Sequence, residues 1–170
     1  MKSTRPILAL NRNYYLIVLN SIAGLIVFSL WVFTIFSYAR LPNSIPSHFD
    51  LTGNVDGYSS KGIIFILPII MTLLFILMSW VIKFPHRFNY PFVINESNAL
   101  YQYTLAVKLI TILKLLIATD FAFSLYSMTN LDSKLGASIN SYFVLIMLVS
   151  LVLPIVIYLI LAARSVKKSS

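Results

Sequence analysis

The chain has no cysteine. That excludes a disulfide framework, a lipidated cysteine, a thiolate-held iron–sulfur cluster and a thiol nucleophile. Charge is scarce as well: 11% of the 170 residues are charged, and Asp and Glu together number 5. Soluble domains carry about a quarter charged residues. At 59% apolar residues and a mean hydropathy of +0.87, a water-soluble monomer would have too little polar surface, and a disordered chain is excluded for the same reason. Also missing are a GxSxG elbow, an HExxH helix, a P-loop and any rhomboid-like or aspartyl-protease-like motif. The sequence therefore names no catalytic residue and implies no cofactor, and an enzyme is the less favoured class. No full small-xxx-small glycine pair is present, although Ser21 and Gly24 allow close helix approach.

What is there is a set of long apolar runs. About 20 apolar residues span a bilayer. Between Arg12 and Arg40 lie 27 residues without a charge, between Lys61 and Lys83 another 21, and between Lys134 and Arg164 another 29. The stretch from Glu96 to Asp132 is apolar but carries Lys108, Lys114 and Asp120. These runs predict helices near 14–38, 62–82, 99–128 and 140–163, the third being the weakest span. The first run is too long for a signal-peptide core and is expected to stay as a helix. The expected fold is one all-α membrane domain over 1–170: a four-helix transmembrane bundle with a structured loop, residues 40–61, between helices 1 and 2. Pro68 and Pro154 are expected inside helices, kinking them where neighbours satisfy the freed carbonyls.

The net charge of +8 would suggest nucleic acid in a soluble protein, but here the basic residues flank apolar runs and report topology. Lys2, Arg5, Arg12, Lys83, Arg87, Arg164, Lys167 and Lys168 fall on one side; Arg40, Lys61 and Lys134 fall on the other. Eight against three places both termini in the cytoplasm and the 40–61 loop outside. The expectation is a multi-pass protein of the bacterial inner membrane, with the lipid bilayer as its first partner and no role for nucleic acid.

The 40–61 loop is longer than a bare connector needs to be. Pro42 and Pro46 hold the residues before them extended. From His48 the chain alternates, with His48, Asp50, Thr52, Asn54 and Asp56 on one parity and Phe49, Leu51 and Val55 on the other. A single extended strand would carry all the polar groups on one face, with turns at Gly53 and Gly57. Three readings follow. In the structural one the loop folds back on the helix ends, Asp50, Asn54 and Asp56 form Asx-turns and Lys61 begins helix 2. In the second, His48, Asp50, Asn54, Asp56 and Lys61 bind a ligand or partner. In the third, His48 with Asp50 and Asp56 ligates a metal or forms a carboxylate-oriented base acting on lipid or cell-wall substrates. A calcium loop fits poorly, because its glycine would fall on Val55 and no bidentate glutamate follows.

The string Leu41-Pro42-x-x-Ile45-Pro46-x-His48-Phe49-x-x-x-Gly53-x-x-Asp56-Gly57-x-x-x-Lys61 resembles the signature of the bacterial domain of unknown function found at the N-terminus of SdpI-type membrane proteins. Asn89-Tyr90-Pro91, Asn95-x-x-Asn98-Ala99 and Gln102-Tyr103 are also similar, so that the likeness covers residues from about 15 to 128. The resemblance implies a non-enzymatic multi-pass protein of the immunity and signalling kind, whose outer loop meets an extracytoplasmic peptide or membrane-protein partner. SdpI-type proteins continue with membrane helices beyond the four read here.

In the 83–98 loop, Asn95 and Asn98 can cap helix 3, His86 is expected at lipid headgroups, and Tyr90, Tyr101 and Tyr103 suit the membrane interface. Lys108, Lys114 and Asp120 are six apart, each rotated by about 120° from the last, so they form no single stripe. Both lysines are expected to snorkel toward the cytoplasmic surface. Asp120 is either an intramembrane ion or proton site, as in a small transporter or accessory subunit, or an acid hydrated near the outer end.

Overall fold

The structure, a computed structural model, describes residues 5–11, 13–50, 54–130 and 134–169; for 134–141 and 166–169 it describes the backbone alone. The expectations on Lys2, Arg12, Leu51, Thr52 and Gly53, and on the side chains of Lys134, Lys167 and Lys168, lie outside these residues. Four helices follow in order: α1 (Tyr14–Tyr38), α2 (Ile66–Val81), α3 (Ala99–Thr129) and α4 (Lys134–Ser169). Two strands, β1 (Ser44–Phe49) and β2 (Val55–Ser60), join α1 to a 3₁₀ turn over Lys61–Phe65 that runs into α2. The chain is mostly helical, as the length of its apolar runs predicts. The segments 14–38, 61–81 and 142–165 are long and apolar enough to cross a membrane.

The helices alternate in direction. The C-terminal end of α3 meets the hairpin and the N-terminal part of α4 around Ser127, Met128 and Phe143. At the other end, Gln102 near the start of α3 donates to the carbonyl of Ala162 (3.1 Å) and to Ser165 Oγ (2.9 Å) near the end of α4. α3 is the central element and packs on α1, α2 and α4. Its polar and charged residues follow from that place: it can bury them against neighbours, whereas the other three helices leave most of their apolar side chains on the surface.

α1 buries Ala23, Val27, Leu30 and Thr34, one stripe at steps of three and four. Leu30 and Val27 join Met71 of α2 and Ala118 and Leu125 of α3 in one core cluster. Trp31 Nε1 donates to Thr72 Oγ1 at 3.0 Å, and that hydroxyl donates in turn to the carbonyl of Pro68 at 2.6 Å. Pro68 is not in a helix interior. It is the third residue of α2, within the first turn, where a missing N–H costs little. Pro154 does lie inside α4, so the two prolines occupy unlike positions.

The second cluster, at the end away from the hairpin, gathers Tyr90, Ile94, Ala99, Tyr103 and Ala106. Tyr103 is 0% exposed and donates to the carbonyl of Pro6 at 3.1 Å; Tyr90 donates to that of Pro85 at 3.0 Å. The interface expectation therefore fails for both, which serve as buried struts, while Tyr101 is exposed. Burial, with Tyr158 and Tyr103 beside it, pushes the Tyr90 phenol above its ordinary range against the pull of Arg5. The start of α3 is fixed by a reciprocal pair: Asn95 Oδ1 accepts from the Asn98 N–H (3.1 Å) and Asn98 Oδ1 from the Asn95 N–H (3.0 Å). This is the geometry of a capping box built from two asparagines.

Candidate functional site

The region between α1 and α2 is not one strand but an antiparallel hairpin. Ile45 seats it: this side chain is 1% exposed and packs in the main core with Ile64, Leu125 and Met128. Burying an isoleucine this fully contributes about 1.5–3 kcal/mol. The Lys61 N–H donates to the Asn43 carbonyl at 3.0 Å and closes the base of the hairpin. At the other end the Asp50 N–H donates to the Asn54 carbonyl, and the Asn54 N–H to Asp50 Oδ1, each at 2.9 Å. Asn54 Nδ2 also reaches Asp50 Oδ2 at 3.3 Å. Asp50 and Asn54 thus tie the tip, by side-chain-to-backbone bonds of the kind that turns use.

The register explains why one polar face did not form. Pro46 pairs with Tyr58, His48 with Gly57 and Phe49 with Val55. Ser47 is thus the extra residue on β1 and Asp56 the extra residue on β2. Bulges re-aim side chains, and here they bring His48 and Asp56 together, Nδ1 to Oδ1 at 2.5 Å. Gly57 lies opposite His48 rather than in a turn. A Cβ on Gly57 would sit 2.9 Å from His48 Cβ, so glycine is what lets the imidazole cross the ladder. Asp56 likewise bonds the imidazole across the strands and is no turn residue. Ser47 Oγ and Ser59 Oγ make a further cross-strand contact at 2.8 Å.

The His48 and Asp56 side chains are 73% and 46% exposed. Below them a cleft of about 300 Å³ opens between hairpin and bundle, with His48, Asp50, Ser124 and Ser127 supplying polar groups and Phe49, Met128 and Phe143 apolar ones. Lys61 stands apart from it. Its ammonium lies over the Tyr38 ring at 4.7 Å and donates to the Leu41 carbonyl at 3.4 Å, covering the end of α1. Of the five loop candidates, the structure brings His48 and Asp56 together, uses Asp50 and Asn54 to shape the tip, and sets Lys61 aside. Among the described residues no group of three His, Cys, Asp or Glu side chains is placed to hold a metal.

The charged residues of α3 diverge, as their spacing requires. Lys108 lines a groove with Tyr101 and Pro154. Asp120 is half-buried and accepts from Ser150 Oγ of α4 at 3.3 Å. Lys114 does not snorkel. It is 0% exposed, donates to Asn20 Oδ1 of α1 and to Ser79 Oγ of α2 (2.8 Å for Ser79), and lies over the Phe75 ring at 4.7 Å. Asn20 and Ser79 were not among the candidates read from the sequence. Nothing in the sequence singles them out, since the first run also holds Ser21, Ser29, Thr34 and Ser37 and the second also holds Thr72.

Residues 25–72 match the model of a domain of unknown function, DUF1648. The match begins within α1, takes in the whole hairpin and ends within α2. No curated protein and no solved structure matches the chain.

Proposed function

We propose that this chain is a four-helix membrane protein of the SdpI-like immunity and signalling kind, without enzymatic activity, whose hairpin recognises an extracytoplasmic peptide or membrane-protein partner. In this reading α3 crosses the bilayer with the other three helices, both termini are cytoplasmic and the protein is multi-pass in the bacterial cell membrane. The excess of basic residues on the terminal side supports that orientation. The observation that carries the recognition role is the His48–Asp56 pair, held by two bulges at the mouth of an amphipathic cleft. Such bulges recur at sheet edges and beside functional sites, and a cleft with both polar and apolar lining suits a peptide side chain.

The test has two parts. Single cysteines at Asn54 and at Ser97, both exposed, are offered a membrane-impermeant thiol reagent in intact cells; Asn54→Cys should react and Ser97→Cys should not. The reverse pattern removes the extracytoplasmic hairpin. A deletion strain should then become sensitive to a peptide toxin secreted by sibling cells and regain protection from the wild-type gene. Unchanged sensitivity across sibling secretions refutes the immunity role.

A second reading has its own observation. Asp120 is half-buried against Ser150 between α3 and α4, a placement suited to an ion or proton site in a small transporter or accessory subunit. Ion-dependent flux in liposomes that Asp120→Asn abolishes would favour it; flux equal to that of empty liposomes would refute it.

A further inference from the structure

A second polar cleft, also of about 300 Å³, opens at the end of the bundle away from the hairpin, between the first turns of α1 and the N-terminal half of α3. Three amides line it, those of Asn11, Asn13 and Asn20, and the last two already have one end in use. Asn13 Oδ1 accepts from the Tyr15 N–H at 3.0 Å, and Asn20 Oδ1 accepts from the Lys114 ammonium. Both residues line the cleft, and with their oxygens engaged, what each has left to give is an –NH₂ group, a donor. Directly behind Asn20 stands Lys114, 0% exposed. Among the described residues no carboxylate lies within 4.0 Å of its ammonium. Its partners Asn20, Ser79 and Phe75 are all neutral. Asp120 is six residues on, about 9 Å along the axis, and faces Ser150 instead. A buried ammonium without a counter-charge is expensive in a membrane interior, and the cleft is lined by no acid.

We infer that this cleft is an anion site for a phosphate-class oxyanion, bound by the amide hydrogens of Asn13 and Asn20 with Lys114 as the fixed positive charge behind them. The oxyanion supplies the counter-charge that the chain itself does not place there. Thr104 and Thr111 donate to the Leu100 and Val107 carbonyls, so their oxygens are left as acceptors for a hydroxyl of the bound group, the P–OH of free phosphate or a glycerol hydroxyl of a phosphatidylglycerol headgroup. Free phosphate and an anionic phospholipid headgroup share this chemistry. The inference does not depend on what the hairpin recognises.

The experiment uses the full chain. Thermal unfolding is followed in detergent with increasing inorganic phosphate against chloride at equal ionic strength, and in phosphatidylcholine nanodiscs with and without phosphatidylglycerol. Either anion should raise the melting temperature. A response to phosphate assigns a free oxyanion, and a response to phosphatidylglycerol alone assigns the headgroup. Asn20→Asp supplies a carboxylate to Lys114 within the chain. It should melt higher than wild type without added anion, and its apparent anion affinity should fall by about tenfold or more, the loss of one charge-assisted contact. Lys114→Met should lose the response as well, and serves if Asn20→Asp fails to fold. A wild-type protein silent to both anions overturns the site, as does an undiminished response in Asn20→Asp or in Lys114→Met.

Discussion

The two ends of the bundle handle their polar groups in opposite ways. Away from the hairpin, side chains are committed to holding chain segments together: Arg5 to the Phe88 carbonyl at 2.5 Å, Tyr103 to Pro6, Gln102 to Ala162 and Ser165, and Asn95 with Asn98 at the start of α3. At the hairpin end the anchor is apolar. Ile45 fixes the two strands to the core, while His48 and Asp56 bond each other near the surface. An exposed hydrogen-bonded pair of this kind contributes little stability, so the fold does not require this one. A polar atom spent on holding the chain together is unavailable for recognition, and only what the same side chain has left over can serve, as with the amide hydrogens of Asn13 and Asn20. Where a hydrophobic anchor holds the chain, whole polar side chains are left available.

The comparison breaks first at Ile45. Ile45→Ala should destabilise by about 2–5 kcal/mol, the range for truncating a buried aliphatic side chain. Thermal unfolding in detergent gives the number, and proteolysis should show cleavage within 44–60 at temperatures where wild type resists. A change below about 1 kcal/mol would mean that hydrogen bonds, not Ile45, seat the hairpin, and the contrast between the ends would be lost.

Next comes Gly57→Ala. The new methyl meets His48 Cβ at 2.9 Å, closer than β-carbons approach one another, and neither strand can yield without shifting the ladder. Overpacking of this kind costs about 1–3 kcal/mol. Since the damage falls on the paired strands, the cost should shrink in His48→Gly/Gly57→Ala, where the clashing atom is gone. Equal cost in the single and double variants would place the strain elsewhere.

At the opposite end Tyr103→Phe removes one hydroxyl that donates to the Pro6 carbonyl. The expected loss is about 1 kcal/mol, the net worth of one hydrogen bond, or somewhat more because the carbonyl loses its partner. Hydrogen exchange near residues 5–10 should rise while exchange in the hairpin stays as it was. Faster exchange at both ends would show that they are coupled rather than separately fastened.

The helices were legible because charges punctuate them. α1 was expected at 14–38 and is found there, and α3 is longer by one residue than the 99–128 expected. α4 runs well past its expected limits at both ends, since hydropathy marks the apolar part of a helix and not where its hydrogen bonds stop. The hairpin was half legible. Prolines and alternation announce extended chain, but the bulges at Ser47 and Asp56 break the period of two on which a single-face reading rests. The Lys114 node was illegible in principle. Its depth along α3 permits snorkelling, and what prevents it are Asn20 and Ser79, 94 and 35 residues away in the chain. Tyr90 and Tyr103 misled for the same reason: a tyrosine near a helix end looks alike whether its hydroxyl meets headgroups or a carbonyl on a distant segment.

The smallest stability effect should belong to the residues with the largest functional one. His48→Ala and Asp56→Ala each remove one half of an exposed pair, whose loss costs less than about 1 kcal/mol. Both variants should express and melt close to wild type, and the double variant should melt no lower than the sum of the two predicts. Structurally, then, His48 is nearly silent although it shares β1 with Ile45, three residues away. In the protection assay the order reverses: His48→Ala should lose protection while still folded, because the imidazole stands at the mouth of the cleft and its Asp56 partner fixes the ring. Asp56→Asn keeps a hydrogen-bond acceptor for the ring without the charge, so it should fall between wild type and His48→Ala. If His48→Ala is both stable and fully protective, the pair is decoration on the hairpin and recognition moves to the apolar lining, where Phe49→Ala becomes the variant to measure. If it is as unstable as Ile45→Ala, the pair is itself an anchor, and the two ends of the bundle are built alike after all.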